Sequence, residues 1–166
     1  MLERGRNTSL PWLLLALAVV LLDQASKLAA EAYLQYHQPV PLIPFFNLTL
    51  GYNPGAAFSF LAGAGGWQRW FFSALALLVS GFLIQWLRQV QGRDRWLSLA
   101  LTLILGGAIG NLIDRVAYGH VIDFIHFYVG AWSFPIFNIA DSAITVGAIL
   151  LIAHMFLVRQ DAPKPQ

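Results

Sequence analysis

The chain carries eight carboxylates, and half of them need little explanation. Glu3, Glu31, Asp94 and Asp161 sit in tails or at loop ends, where a solvated charge is ordinary. Asp23, Asp114, Asp123 and Asp141 instead lie at or near apolar runs, where an unpaired charge costs several kcal/mol and marks a functional site by default. Asp23 and Lys27 are four apart and share a helix face, so a structural ion pair is the better reading for them. Asn111 and Asp114, three apart, also share a face; Arg115 beside them points elsewhere, with a donor fork suited to a carboxylate or a carbonyl. Asp123 and Asp141 have no helical partner. Two carboxyls held close at an apolar boundary share one proton, so one can take a proton from water while the other gives one to a carbonyl oxygen. That chemistry hydrolyses a peptide bond without a metal or a side-chain nucleophile.

Other chemistries fit less well. His37, His120, His126 and His154 lack the spacing of a helical zinc site, so no metal and no cofactor is expected. Ser59 has no nucleophile-elbow context, there are no cysteines, and no glycine-rich phosphate loop is present. No basic run or basic–aromatic stripe points to nucleic acid.

The elements that must position these groups are membrane spans. Of 166 residues, 58% are hydrophobic and 11% charged, against roughly a quarter charged in a soluble domain. Four apolar stretches have spanning length, about 10–30, 70–88, 96–114 and 141–158, with outer segments 31–69 and 114–141. Arg4, Arg6, Arg88, Arg93, Arg95, Arg159 and Lys164 fall on one side of four crossings. The positive-inside rule makes that side, with both termini, cytoplasmic. The first stretch also fits a secretory signal with Ala30-Glu31-Ala32 as a cleavage site. Asp23, Gln24 and Lys27 inside or beside its apolar core argue for an uncleaved helix.

The outer segments cannot span. Pro39, Pro41, Pro44 and Pro54 with several glycines break any helix in the charge-free stretch from Ala32 to Gln68, which should lie on the membrane surface. Phe46–Asn53 alternates with the two-residue period of a strand, and Val121–His126 alternates in part. A turn near Gly130 would return Trp132–Phe137 as a second strand. It would bring Asp123 opposite Phe137 and Asn138, with Asp141 just beyond, at the start of the fourth helix. The Gly106-Gly107 pair and Gly110 allow close helix approach.

Five blocks resemble the lipoprotein signal peptidase (signal peptidase II) family, in the family's order and over about Leu10 to Arg159. They are Asp23-Gln24-Ala25-Ser26-Lys27; Asn53-Pro54-Gly55-Ala56-Ala57-Phe58; Gly106 to Arg115; Val121-Ile122-Asp123-Phe124; and Phe137-Asn138-Ile139-Ala140-Asp141-Ser142. The resemblance implies an otherwise all-α membrane protein, a single peptidase domain over 1–166. It would be a four-helix transmembrane bundle with a small extracytoplasmic β-sheet cradle and a membrane-surface loop or helix. It implies a monomer in the bacterial inner membrane, among membrane lipids. There it cleaves prolipoproteins before a cysteine bearing diacylglycerol, at the periplasmic face. Carried over by position, Asp123 and Asp141 match the catalytic dyad. Asn53, Gly55, Asn111, Arg115, Asn138 and Ala140 match residues that hold the substrate or support the aspartates, and Asp23 with Lys27 matches a supporting pair. The alternatives are a small transporter whose carboxylates form an ion path, or a membrane scaffold. Clustering of the acids toward one face argues against the first, and a scaffold has no need of two convergent aspartates.

Overall fold

A computed structural model describes residues 9–55, 65–90 and 93–160. Long apolar runs satisfy their backbone groups internally, and four helices result: α1 (Leu10–Tyr33), α2 (Trp67–Val90), α3 (Arg95–Tyr118) and α4 (Ile139–Gln160). All four are long and apolar enough to cross a membrane. Each extends past the apolar stretch that announces it, and α3 continues to Tyr118. The apolar count marks the hydrocarbon layer, whereas helical hydrogen bonding continues into the interface. Local signals set the ends of α3: the Asp94 carboxylate accepts from Leu97 N–H at 3.0 Å, and Gly119 takes the left-handed C-cap conformation.

α3 is the central helix and packs against α1, α2 and α4. Glycines permit this. A Cβ on Gly106 would lie 2.7 Å from Val19 of α1, and one on Gly107 would collide with the Ala140 carbonyl of α4. Leu83, Leu87, Leu101 and Leu105 fill the bundle interior with Ala16. Leu21, Leu22, Leu78, Phe82, Ile149 and Phe156 face outward, as lipid contact requires.

At the end of the bundle where α1 and α3 finish stands an antiparallel sheet of order β1-β2-β3-β4: β1 (Val40–Ile43), β2 (Phe46–Asn53), β3 (Val121–Val129) and β4 (Trp132–Ser133). The alternation at Phe46–Asn53 is one of its strands, and the reversal occurs at Gly130, whose φ is 59°. The return is shorter than a Trp132–Phe137 strand. Only Trp132–Ser133 pairs regularly, and Phe137 rejoins through an isolated bridge to Ile125. Pro135 lies between them and has no N–H to give the ladder. Leu50, Ile122 and Phe124 with Ala30 form a second apolar core that seats the sheet on α1. Of the charge-free stretch from Ala32 to Gln68, expected to lie on the membrane surface as a loop or helix, residues 56–64 lie outside the described residues.

Candidate active site

β3 and the start of α4 bring Asp123 and Asp141 to one side chain. The Asn138 amide donates to Asp123 Oδ1 at 2.7 Å, while its own oxygen accepts the Asp141 N–H at 2.8 Å, capping α4. Gly51 pairs with Asp123 across the sheet, and Asn53 is hydrogen-bonded to the Asp123 carboxyl. On the other flank, Asn111 Nδ2 donates to Asp141 Oδ1 at 2.7 Å. The Asn111 oxygen accepts from Lys27 Nζ at 3.0 Å and from Asn138 at 3.2 Å, so both donors fix which way that amide points.

Beneath the aspartates lies a larger network than the expected Asp23–Lys27 pair. Lys27 Nζ is 2.8 Å from Asp23 and 2.8 Å from Asp114, and all three side chains are buried. Two buried carboxylates on one ammonium need further donors. Ala140 N–H donates to Asp23 at 2.8 Å, Ile122 N–H to Asp114 at 3.1 Å, and Gln24 Nε2 to Asp114 at 2.8 Å. These bonds lock α1, α3, β3 and α4 together next to the aspartates. Ile122 is held at both ends, since its carbonyl also accepts from Asn138 at 3.3 Å. The backbone just before Asp123 is thereby set. Asp114 and Gln24 are the site residues that sequence reasoning left unassigned. Their signal was present, as Asp114 shares a face with Asn111 and Gln24 adjoins Asp23.

Arg115 reaches across to the loop after β2, donating to Gly55 O at 3.1 Å and to its own helix at Asn111 O. Gly55 N–H in turn donates to Asn53 Oδ1 at 3.0 Å. Gly55 is thus a main-chain link between Arg115 and Asn53. Ala140 acts through its N–H and through a methyl that would sit 3.3 Å from a Cβ on Gly110. His126 lies between Thr49 at 3.1 Å and Ser133 at 2.6 Å, and His120 meets Tyr52 at 4.4 Å with the two rings tilted.

Asp123 is 4% exposed. Burial, then the charge of Asp141, push its carboxyl from 3.8 up to about 7, against smaller opposing effects from Asn138, Asn53 and Lys27. Its affinity for a proton is thereby raised toward neutrality.

The family sequence model for Signal peptidase (SPase) II matches residues 15–157. The chain belongs to the signal peptidase II family. Among curated relatives, a lipoprotein signal peptidase of Cupriavidus taiwanensis is 56% identical over 148 residues, covering 89% of this chain and 84% of that protein. One from Pseudomonas fluorescens is 53% identical over 154 residues, covering 92% and 91%. One from Burkholderia thailandensis is 58% identical over 142 residues, covering 86% and 85%. A solved bacterial membrane enzyme superposes with a TM-score of 0.83 at 32% identity, covering 94% of this chain and 93% of its own. A second gives 0.76 at 34%, covering 87% and 92%. This signal peptidase II homologue is accordingly a membrane-spanning peptidase with a bacterial membrane-enzyme fold.

Proposed function

We propose that this chain removes the signal peptide from prolipoproteins by cutting the bond before a cysteine that carries diacylglycerol, with Asp123 and Asp141 activating water. The observation that carries the reading is Asn138, one amide that holds the Asp123 carboxyl and the Asp141 backbone at the same point. In the resting pair Asp123 keeps the shared proton and Asp141 acts as base. Asp141 takes a proton from water as the oxygen attacks the carbonyl carbon, and Asp123 gives its proton to the carbonyl oxygen. As the diol collapses and the C–N bond breaks, Asp141 passes the proton it took from water to the leaving nitrogen and Asp123 takes one back from a diol hydroxyl, which restores the resting pair. The signal peptide leaves with a new carboxyl group and the cysteine with a free amine. Asn53 and Asn111 orient the two carboxyls, and Arg115 holds Gly55 and offers its remaining donors to the substrate main chain.

The site's position suits such a substrate. Signal helix and acyl chains both stay in the bilayer, so the scissile bond is presented at its edge, where the sheet meets the bundle. Arg88, Arg93 and Arg95 gather at the opposite end, which supports a cytoplasmic end there and a site on the outer face. The test is cleavage of a diacylated prolipoprotein by purified wild type, Asp123→Asn and Asp141→Asn. Both folded variants should lose cleavage. Full activity in either removes the dyad.

A further inference from the structure

Beside Asp123 a cavity of about 140 Å³ opens on the sheet side, lined by Gly51, Tyr52, Asn53, Pro135, Ile136 and the ring-bearing His37. Neither Arg115 nor Asn111 of the helix side lines it. His37 is held there at some cost. Its φ of 57° lies in the left-handed region, which few residues other than glycine adopt, histidine, asparagine and aspartate more readily than the rest. Strain of this kind persists where the surroundings over-determine it, and it clusters at binding sites. Here His37 N–H donates to Leu50 O at 2.9 Å. The imidazole stacks on Tyr36 at 4.1 Å, and Tyr36 stacks on Tyr52 at 5.1 Å.

We infer that this cavity receives the side chain of the residue immediately after the lipid-bearing cysteine, and that His37 selects polar, uncharged side chains there. The inference rests on the function proposed above. Three parts of the substrate diverge from the scissile bond: the signal helix, the acyl chains and the mature chain. The first two are apolar and stay with the bundle and its lipid. Only the mature chain is bound for water, and it leaves over the sheet. Successive side chains of an extended chain point to opposite faces. With the cysteine's lipid directed into the bilayer, the next side chain turns away from it, into the cavity next to Asp123.

Size and chemistry narrow the occupant. A closed cavity of about 150 Å³ holds a benzene ring, so this one, open to the outside, has room for a compact side chain such as asparagine or leucine. Imidazole supplies one donor and one acceptor, and the asparagine amide of Asn53 adds polarity. The negative charge shared by the dyad disfavours an acidic side chain. Asparagine or serine fits; leucine, of asparagine's shape, finds no use for the imidazole.

The experiment measures kcat/KM for diacylglyceryl-cysteine prolipoprotein peptides that differ only in having Asn or Leu after the cysteine. Wild type should prefer Asn to Leu by about fivefold, the worth of one hydrogen bond, expressed in KM rather than kcat. His37→Gly tolerates the left-handed backbone and removes the ring, so it should bring that ratio close to one. His37→Asn, which also tolerates this conformation, should restore part of it. An Asn/Leu ratio unchanged in His37→Gly, or absent in wild type that cleaves normally, overturns this inference alone. Failure of wild type to cleave any of the peptides overturns the parent function and this inference with it.

Discussion

Replacing Asp123 by asparagine should abolish cleavage and yet make the protein more stable above neutral pH. The carboxyl is buried, and its pKa rises from 3.8 to about 7 because burial, then the neighbouring Asp141 charge, penalise its ionised form. In the unfolded chain it returns to the ordinary carboxylate range. Between those two values the native state binds more protons than the unfolded one, so stability falls as pH rises. Below the unfolded pKa both states are protonated and nothing is lost; above about 7 the whole penalty is present. A gap of that size corresponds to roughly 4 kcal/mol at most. Asparagine is neutral at every pH, has nearly the same shape and can still accept the Asn138 N–H. For a chain of this length, roughly 2–4 °C of melting temperature accompanies each kcal/mol. The variant's advantage should therefore grow by up to roughly 8–16 °C between pH 4 and pH 8. Thermal unfolding in detergent, followed through the six tryptophans, measures it. An advantage that stays constant across this range, or a variant less stable than wild type at pH 8, would refute the assignment of Asp123 as the group that holds a proton at neutrality.

Lys27→Ala strands the Asp23 and Asp114 carboxylates in the interior and should cost about 3–5 kcal/mol, read as a fall in melting temperature and yield; a stable but inactive variant would contradict its structural role. Asn138→Ala should weaken the cap of α4 by about 1 kcal/mol. It also removes a hydrogen bond that lowers the Asp123 pKa, so the alkaline limb of any residual pH–rate profile should move to higher pH. Gly110→Ala places a methyl 2.6 Å from Asp23 Oδ2 and should destabilise by about 1–3 kcal/mol, whereas Gly81→Ala meets nothing within 4 Å and should be neutral or stabilising by melting temperature.

Four spans, their basic ends and the candidate aspartates were legible in the sequence, because each depends on composition or short spacing. An apolar run without charge has one solution in lipid, and a strand period of two is visible over eight residues in Phe46–Asn53. The reversal at Gly130 was also readable, and with it the approach of Asp123 to Asn138. The tertiary structure decided what no spacing rule reaches. Lys27 sees Asp23 four residues away, but its second carboxylate, Asp114, arrives from another helix 87 positions on, and only the packing of α1 on α3 makes that meeting. The strain at His37 and the cavity it lines are equally tertiary, since they arise where the stretch after α1 bonds to β2 and faces Pro135 and Ile136. The eight carboxylates first divided by sequence alone are thus divided again. Asp23 and Asp114 neutralise Lys27 in the interior, and Asp123 and Asp141 are joined through Asn138, with Asp123 at the edge of a cavity. Local chemistry names candidates, but distances between elements assign them partners, because a buried charge is stabilised by whatever the fold places within a few ångströms of it.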